Sequence, residues 1–407
     1  MQAYPTRPRA LQKGHWLCQR LTLPILIVCG WWLGGLTGST PALAQSARLR
    51  DFLPQLFARE GVICLDVGCT TIYSPEFFSP ELRRLNDSLV PQLVLPPFTS
   101  PSTGFIFDEE LGVPRRVREP LGPTIGEKAT TLGQGHANLA LTYSYLEYTR
   151  FRGQNLSGFQ FSVGIPGVPQ ERVDVLLNLK ITRHVLALSS TLGLTDDLDV
   201  GISIPYIFTK LEASATATIQ YLGPGPPVAR FSPSGGVEKV VSEQQDKEGI
   251  GDLRLVGKYV FLRDLEWIGN LGIAGEVKLP TGSAGDLTGT GTIQATGTLV
   301  ASRDFGWFGP HLNVSFTQDF RDERNQVLKT LFGFDTRILS RLTFASDVVW
   351  RYRPHDRSVT NTVDLAAGLR WNPYRQLVVT ASAQIPLNKN VGLRTDVTPM
   401  LTVEYNF

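Results

Sequence analysis

TPMLTVEYNF, residues 398–407, closes the chain. Leu401, Val403, Tyr405 and Phe407 alternate with Thr402, Glu404 and Asn406, the period of two that marks a strand with one apolar and one polar face. Chain ends ordinarily fray. A terminal strand with Tyr405 and Phe407 on one face would expose sticky surface without an apolar neighbour. That neighbour is a protein core or a lipid bilayer.

The opposite end of the chain narrows the choice. Arg7, Arg9, Lys13 and Arg20 make a basic start, with no acid before Asp51. The apolar run LTLPILIVCGWWLGGL (21–36) comes next, and then PALAQ, whose Ala42-Leu43-Ala44 is a small-x-small cleavage site. Together these predict a secretory signal peptide over 1–44, cut after Ala44, and so an exported mature chain. The alternative, a membrane anchor, fits less well, because the run is short and Gly-rich.

Of 39 basic and 37 acidic residues, the leader takes four basic ones and no acid, leaving 35 against 37. No bulk charge draws the mature protein to nucleic acid. Cys64 and Cys69 remain in ICLDVGC, and an exported pair this close is expected to form a disulfide. No histidine lies nearby to complete a metal site, and no cofactor is expected. Beyond the leader no run of 18 apolar residues occurs, so only a closed β-barrel could carry the chain across a membrane.

Residues 45–135 read as an N-terminal extension that sits on, beneath or inside the remainder of the chain. ARLRDFLPQLFARE (47–60) suits an amphipathic helix interrupted by Pro54, and SPELRRLNDSL (79–89) has a Ser cap and Pro at the first helical position. TGFIFDEELGVPRRV (103–117) suits a small hairpin.

From residue 136 the texture becomes alternation. In HLNVSFTQDF, Leu312, Val314 and Phe316 oppose His311, Asn313, Ser315 and Thr317. Twelve such segments run at about 136–151, 172–193, 198–221, 250–262, 269–281, 291–303, 309–322, 327–338, 341–353, 360–371, 376–386 and 396–407. Connections alternate short and long, as periplasmic turns and external loops do. Aromatics gather at both levels: Trp267, Trp307, Trp371, Tyr374, Tyr405 and Phe407 at one, Tyr143, Tyr145, Tyr206, Phe208, Trp350 and Tyr352 at the other. A soluble β-sandwich also alternates, but its strands average about five or six residues. The reading is therefore all-β: a 12-stranded antiparallel transmembrane β-barrel over 136–407, with a small N-terminal periplasmic or plug extension.

Two resemblances bear on this. TVEYNF is similar to the C-terminal assembly signal of bacterial outer-membrane proteins, which implies Leu401, Val403, Tyr405 and Phe407 as its readable residues. GPTIGEKATTLGQGHANLALTYSYLEY (122–148) resembles the entry into the barrel of the family named after the meta-pathway of phenol degradation, and STGFIFDEELGVPRR, GLTDDLDVGISIPY and GIGDLRLVGKYVF add to the likeness. The resemblance runs from about residue 50 to the end. It implies an outer-membrane barrel that passes small, often hydrophobic or aromatic compounds. The partners implied are outer-membrane lipid, the assembly machinery and a small-molecule solute. The Cys64/Cys69 pair is not part of that family's pattern.

The expected inward charges are Lys180, Arg254, Lys258, Lys278, Lys329, Arg337, Arg341, Arg351, Arg353 and Arg370, with Asp174, Asp199, Asp252, Glu276, Asp335, Asp347, Asp364 and Glu404 among the acids. They either line a pore or pair across strands to fill a narrow lumen. His311, Asn313 and Ser315 are residue types a lipase uses, but i and i+4 on a strand lie about 13 Å apart, so polar lumen lining is the better reading and no enzyme is expected. GSAGDLTGTGT (282–292) reads as a loop tip rather than a phosphate cradle. A channel or transporter is favoured. The alternative is a structural or surface-binding barrel acting through an external loop at 222–249.

Overall fold

The computed structural model describes residues 48–407 apart from 58–61, 66–68, 70–71, 74–78, 94–105, 109–112, 116–119, 166, 225, 233–234, 356–360 and 375. The leader and its Ala44 site lie outside the described residues, as does most of the Pro-rich stretch after Leu93. Residues 47–407 form one compact unit. No helix among the described residues is long and apolar enough to cross a membrane.

The wall has twelve strands. They are β1 Ala137–Phe151, β2 Glu171–Gly193, β3 Leu198–Tyr221, β4 Leu253–Leu265, β5 Gly269–Leu279, β6 Gln294–Ser302, β7 Phe308–Asp319, β8 Val327–Leu339, β9 Leu342–Tyr352, β10 Asn361–Tyr374, β11 Leu377–Pro386 and β12 Thr398–Asn406. Each pairs antiparallel with the next, and β12 returns to β1 with Leu401 opposite Tyr143 and Tyr405 opposite Leu139. The ladder is closed, so the barrel wall has no free edge to expose backbone groups to lipid. Connections at the Phe407 end are 194–197, 266–268, 303–307, 340–341 and 375–376, and those at the other end are 152–170, 222–252, 280–293, 320–326, 353–360 and 387–397. Short periplasmic turns and long external loops are the asymmetry of outer-membrane barrels, so the Phe407 end is periplasmic.

Side chains sort by parity. On β7, Leu312, Val314 and Phe316 are 41%, 40% and 47% exposed, whereas His311, Asn313 and Ser315 are 2%, 3% and 1% exposed. Leu141, Leu188, Ile202, Ile273, Leu299 and Val348 share the outward face. A continuous apolar exterior of this kind would not stay monomeric in water, and it fits a hydrocarbon layer. Trp267, Trp307 and Trp371 stand exposed near the periplasmic rim. At the external level Tyr143 Oη and His184 Nδ1 lie 2.8 Å apart, and Tyr145 and Phe208 pack on the same imidazole. Two aromatic girdles thus bracket the apolar band. The chain is an outer-membrane β-barrel.

Strands β2 and β3 have 23 and 24 residues, roughly 80 Å of chain at about 3.3 Å per residue, far more than a band about 25 Å tall requires. Their outer halves leave the barrel as a ribbon, flanked by Ser157–Gly164 on β2 and Glu238–Ile250 on β3. Here the amphipathic sense reverses without a change of parity. Below the girdle, Leu186 and Leu188 point out and Ser189 lines the lumen. Above it, Val173, Val175, Leu177, Leu179 and Ile181 are buried on the inward side. Outside the membrane the exterior is water, so the outward face turns polar and the inward face becomes a core.

That core is filled by the N-terminal extension. A short helical turn over Leu49–Gln55 and helix α1, Ser79–Leu93, bury Leu49, Phe52, Leu53, Leu56 and Phe57 with Leu82, Leu85, Leu89 and Leu93 against the ribbon. Ile63–Cys64 pairs with Arg230–Phe231, and Phe231 is fully buried. Cys64 and Cys69 are disulfide-bonded. The 103–117 segment contains a hairpin, Ile106–Asp108 with Val113–Arg115. One expectation is corrected. These helices form a lid at the external end, not at the periplasmic mouth, because the apolar inward face of the ribbon lies there. Residues 120–135, by contrast, occupy the lumen at the Phe407 end.

Candidate functional site

Residues 120–135 contain no regular helix or strand, and side chains of the wall hold them. The strap begins at β9, where Thr343 Oγ1 accepts the Leu121 N–H at 2.9 Å. Asp347 then accepts from Thr124 Oγ1, Ile125 N and Gly126 N at 3.0, 3.0 and 3.4 Å. Asn313 on β7 clasps Glu127 twice, accepting its N–H and donating to its carbonyl. Ser302 on β6 takes the Ala129 N–H, and Asp199 on β3 takes that of Leu132. From β10, Arg370 donates to the Pro123 carbonyl at 2.8 Å while it pairs with Glu404 at 3.0 Å. The strap therefore crosses from wall to wall. Backbone without regular structure is tolerated at membrane depth only where protein satisfies it, as here.

Lys128 anchors the strap by charge. Its Nζ lies 2.6 Å from Asp304 and 3.0 Å from Asp335, and it is almost fully buried. His311 Nε2 is 2.7 Å from Asp347 and its Nδ1 is 3.7 Å from Asp335. The acids, the histidine and the lysine form one buried cluster beneath Gly126. A Cβ on Gly126 would sit 2.6 Å from His311, and one on Gly333 would sit 2.1 Å from Asp347. Both positions need glycine for close approach.

Above the strap lies a chamber of about 370 Å³, bounded by Ile125 and Glu127 below and by Gln92 of α1 above. The roof is tied to the 387–397 connection, since Gln92 Oε1 accepts the Leu393 N–H at 2.5 Å. Six basic and four acidic side chains line the chamber, with Ser and Thr hydroxyls and a few apolar groups between them. Arg254 pairs with Glu276 at 2.9 Å, and Lys258 reaches Asp199 at 3.8 Å. Asp364 is shared by Arg351 and Arg394, each at 2.5 Å. Lys329 lines the chamber as well. Lumen charges thus pair across strands and still leave open space.

The remaining expected residues fall elsewhere. Lys278 is buried beside Asp252 at 3.0 Å, and Asp347 and Arg370 hold the strap. Arg337 and Arg341 follow the inward parity but sit toward the periplasmic turn, outside the chamber. Lys180 and Asp174 are corrections. Both lie on the polar exterior of the ribbon, Lys180 opposite Glu212 and Asp174 bonded to Ser162 at 2.6 Å. The rule that polar residues face the lumen holds only where lipid lies outside.

The Gly-rich loop 280–293 folds onto the carboxylate of Asp252, which accepts from Gly282 N at 3.1 Å and from Thr290 N and Oγ1 at 2.8 Å each. A carboxylate of this chain occupies the place an external anion would take. His311, Asn313 and Ser315 do not converge either: His311 is taken by acids, Asn313 by the strap, and Ser315 accepts from Thr298. The loop expected to bind partners is largely committed too, since Glu238–Ile250 is a ribbon strand and Phe231 is packed under the lid.

Reasoning from sequence missed the strap, because it has no periodicity to detect. Its only signal was Lys128, an isolated cation placed among glycines and threonines.

No family model matches the chain, and no curated protein matches it. Among solved structures, an outer membrane channel from Pseudomonas putida F1 is similar at 13% identity over 69% of this chain and 98% of that one, with a TM-score of 0.45. The Ralstonia pickettii toluene transporter TbuX is similar at 11% identity, covering 68% and 90%, with a TM-score of 0.36. The monoaromatic hydrocarbon channel CymD stands at 13%, 67% and 88%, with a TM-score of 0.33. The barrel itself rests on this chain's own closed ladder.

Proposed function

We propose that the protein is an outer-membrane channel for small solutes, captured with its lumen closed by the strap and capped by the lid. One observation carries this reading: the lumen is not filled. A chamber of about 370 Å³ remains between strap and lid, within the size range of small-molecule sites. A purely structural barrel of twelve strands would gain by packing that space with side chains. The resemblance of residues 122–148 to the meta-pathway phenol family supports a small, often hydrophobic or aromatic solute. The strap is held to the wall by side-chain hydrogen bonds and ion pairs, and passage requires those to release.

Single-channel recording in planar bilayers tests this. Wild-type protein is expected to show rare openings, and Lys128→Met frequent ones, because the buried anchor is removed. Silence in both, with uptake of small aromatics unchanged in a deletion strain, would end the channel reading. A surface-binding role, with the lid and ribbon as its platform, would then lead.

A further inference from the structure

Six cations and four acids line the chamber, and one of those cations has no counter-ion in contact among the described residues. Lys329 on β8 lines it, and among the described residues no hydrogen bond or ion pair engages its ammonium group. Its cross-strand neighbour on β9 is Arg351, another cation, and on β7 it faces Ser315. Like charges directly opposite on a sheet repel. Asp364 already serves Arg351 and Arg394 at 2.5 Å each, Glu276 serves Arg254, and Glu127 acts on Lys329 only through space, without an ion pair among the described residues. The other lining cations are engaged: Arg254 by Glu276, Lys258 by Asp199, and Arg353 also has a partner.

An ammonium group withdrawn from bulk water without a counter-ion is costly, and the cost is relieved by an anion. The geometry fits one carboxylate. Ser315 accepts the proton of Thr298 Oγ1 at 2.9 Å, which leaves its own proton to donate beside Lys329. Ile125, Leu146, Tyr148, Val256 and Leu393 supply apolar surface in the same chamber. A free inorganic anion would use the charge and waste that surface. A neutral hydrocarbon would use the surface and leave the charge unrelieved.

We propose that the chamber binds a small monocarboxylate with a short apolar or aromatic body, its carboxylate on Lys329 and Ser315. This rests on the channel reading and names the solute class that the channel selects.

Benzoate and its neutral counterpart benzyl alcohol are the probes. Full-length protein in detergent would be titrated with each by calorimetry, at low chloride, alongside Lys329→Gln and Lys329→Arg. Heat-modifiable gel migration checks that each variant keeps its barrel. Wild-type protein is expected to bind benzoate at least roughly tenfold more tightly than benzyl alcohol. Lys329→Gln should lose roughly tenfold or more for benzoate alone, the effect of one lost charge-assisted contact, and Lys329→Arg should largely retain it. Absence of benzoate binding, equal binding of the alcohol, or an unchanged Lys329→Gln affinity would each overturn the proposal. So would displacement of benzoate by chloride at equal concentration, which would mark a bare anion site. If Lys329→Gln fails to fold, the comparison of benzoate with the alcohol and Lys329→Arg decides alone. Openings in Lys128→Met with no preference for benzoate would sink this inference and leave the channel reading standing.

Discussion

Asp347 on β9 accepts the backbone N–H of Ile125 at 3.0 Å and, on its other oxygen, faces His311 Nε2 at 2.7 Å. One carboxylate therefore joins the strap to the wall at a sequence separation of 222 residues. Asp347→Ala would leave Ile125 N–H, Thr124 Oγ1 and His311 without this acceptor, at about 1–3 kcal/mol for each group left buried and unpaired. The expected result is a barrel that still shows heat-modifiable migration but opens more often in planar bilayers. An Asp347→Ala channel as silent as wild type would show that the strap is not the barrier.

The lid position can be read on intact cells. Arg84 on α1 has 75% of its side-chain surface exposed, and its partner Glu81 lies one turn away. With Cys64 and Cys69 disulfide-bonded, Arg84→Cys offers a single new thiol in the described structure. A membrane-impermeant maleimide should label it without permeabilisation. Labelling only after the outer membrane is opened would place the lid in the periplasm.

The Cys64–Cys69 bridge closes a short loop whose first strand pairs with Arg230–Phe231. Replacing both cysteines by serine should lower lid stability by roughly 2 kcal/mol, the entropy of a small loop, and leave the barrel intact. Limited proteolysis would show faster cleavage within residues 48–93. In the wild type, the unreduced peptide should be lighter than the reduced one by the mass of two hydrogens, and free thiols there would contradict the bridge.

Acid should loosen one external loop late. Asp396, in the 387–397 connection, is held below the ordinary carboxylate range, chiefly by the hydrogen bond from Lys389 Nζ at 2.8 Å, with burial opposing and Thr149 helping. A depressed carboxylate contributes stability above its unfolded pKa and loses it as pH falls through the folded one, here below about 3.8. Because Asp396 is half exposed, the contribution is under about 1 kcal/mol. Hydrogen exchange of 388–396 should be faster in Asp396→Asn than in wild type at pH 7, with the gap closing only once the pH falls below the ordinary carboxylate range. A gap that persists in acid would mean the loop is held by other groups.

Alternation is a local property, so the strands could be placed without any knowledge of their neighbours. Leu312 and His311 are adjacent in the chain, and whichever faces lipid must be the apolar one. The same reasoning set twelve segments within a few residues of the observed strands and put the aromatics at two levels. The sequence alone therefore determined the closed β-barrel, its orientation and its disulfide. It did not determine where the membrane stops along β2 and β3. Above the girdle an unbroken strand exchanges lipid for water, so the outward parity that carries Leu186 and Leu188 below carries Lys180 above. Nor did it determine the strap, whose bonds join residues 222 and 173 positions apart and leave no periodic trace. Only the closed wall brings Asp199, Ser302, Asn313 and Asp347 within reach of one irregular segment, and only that closure sets Lys329 beside Arg351 with no acid in contact with it among the described residues.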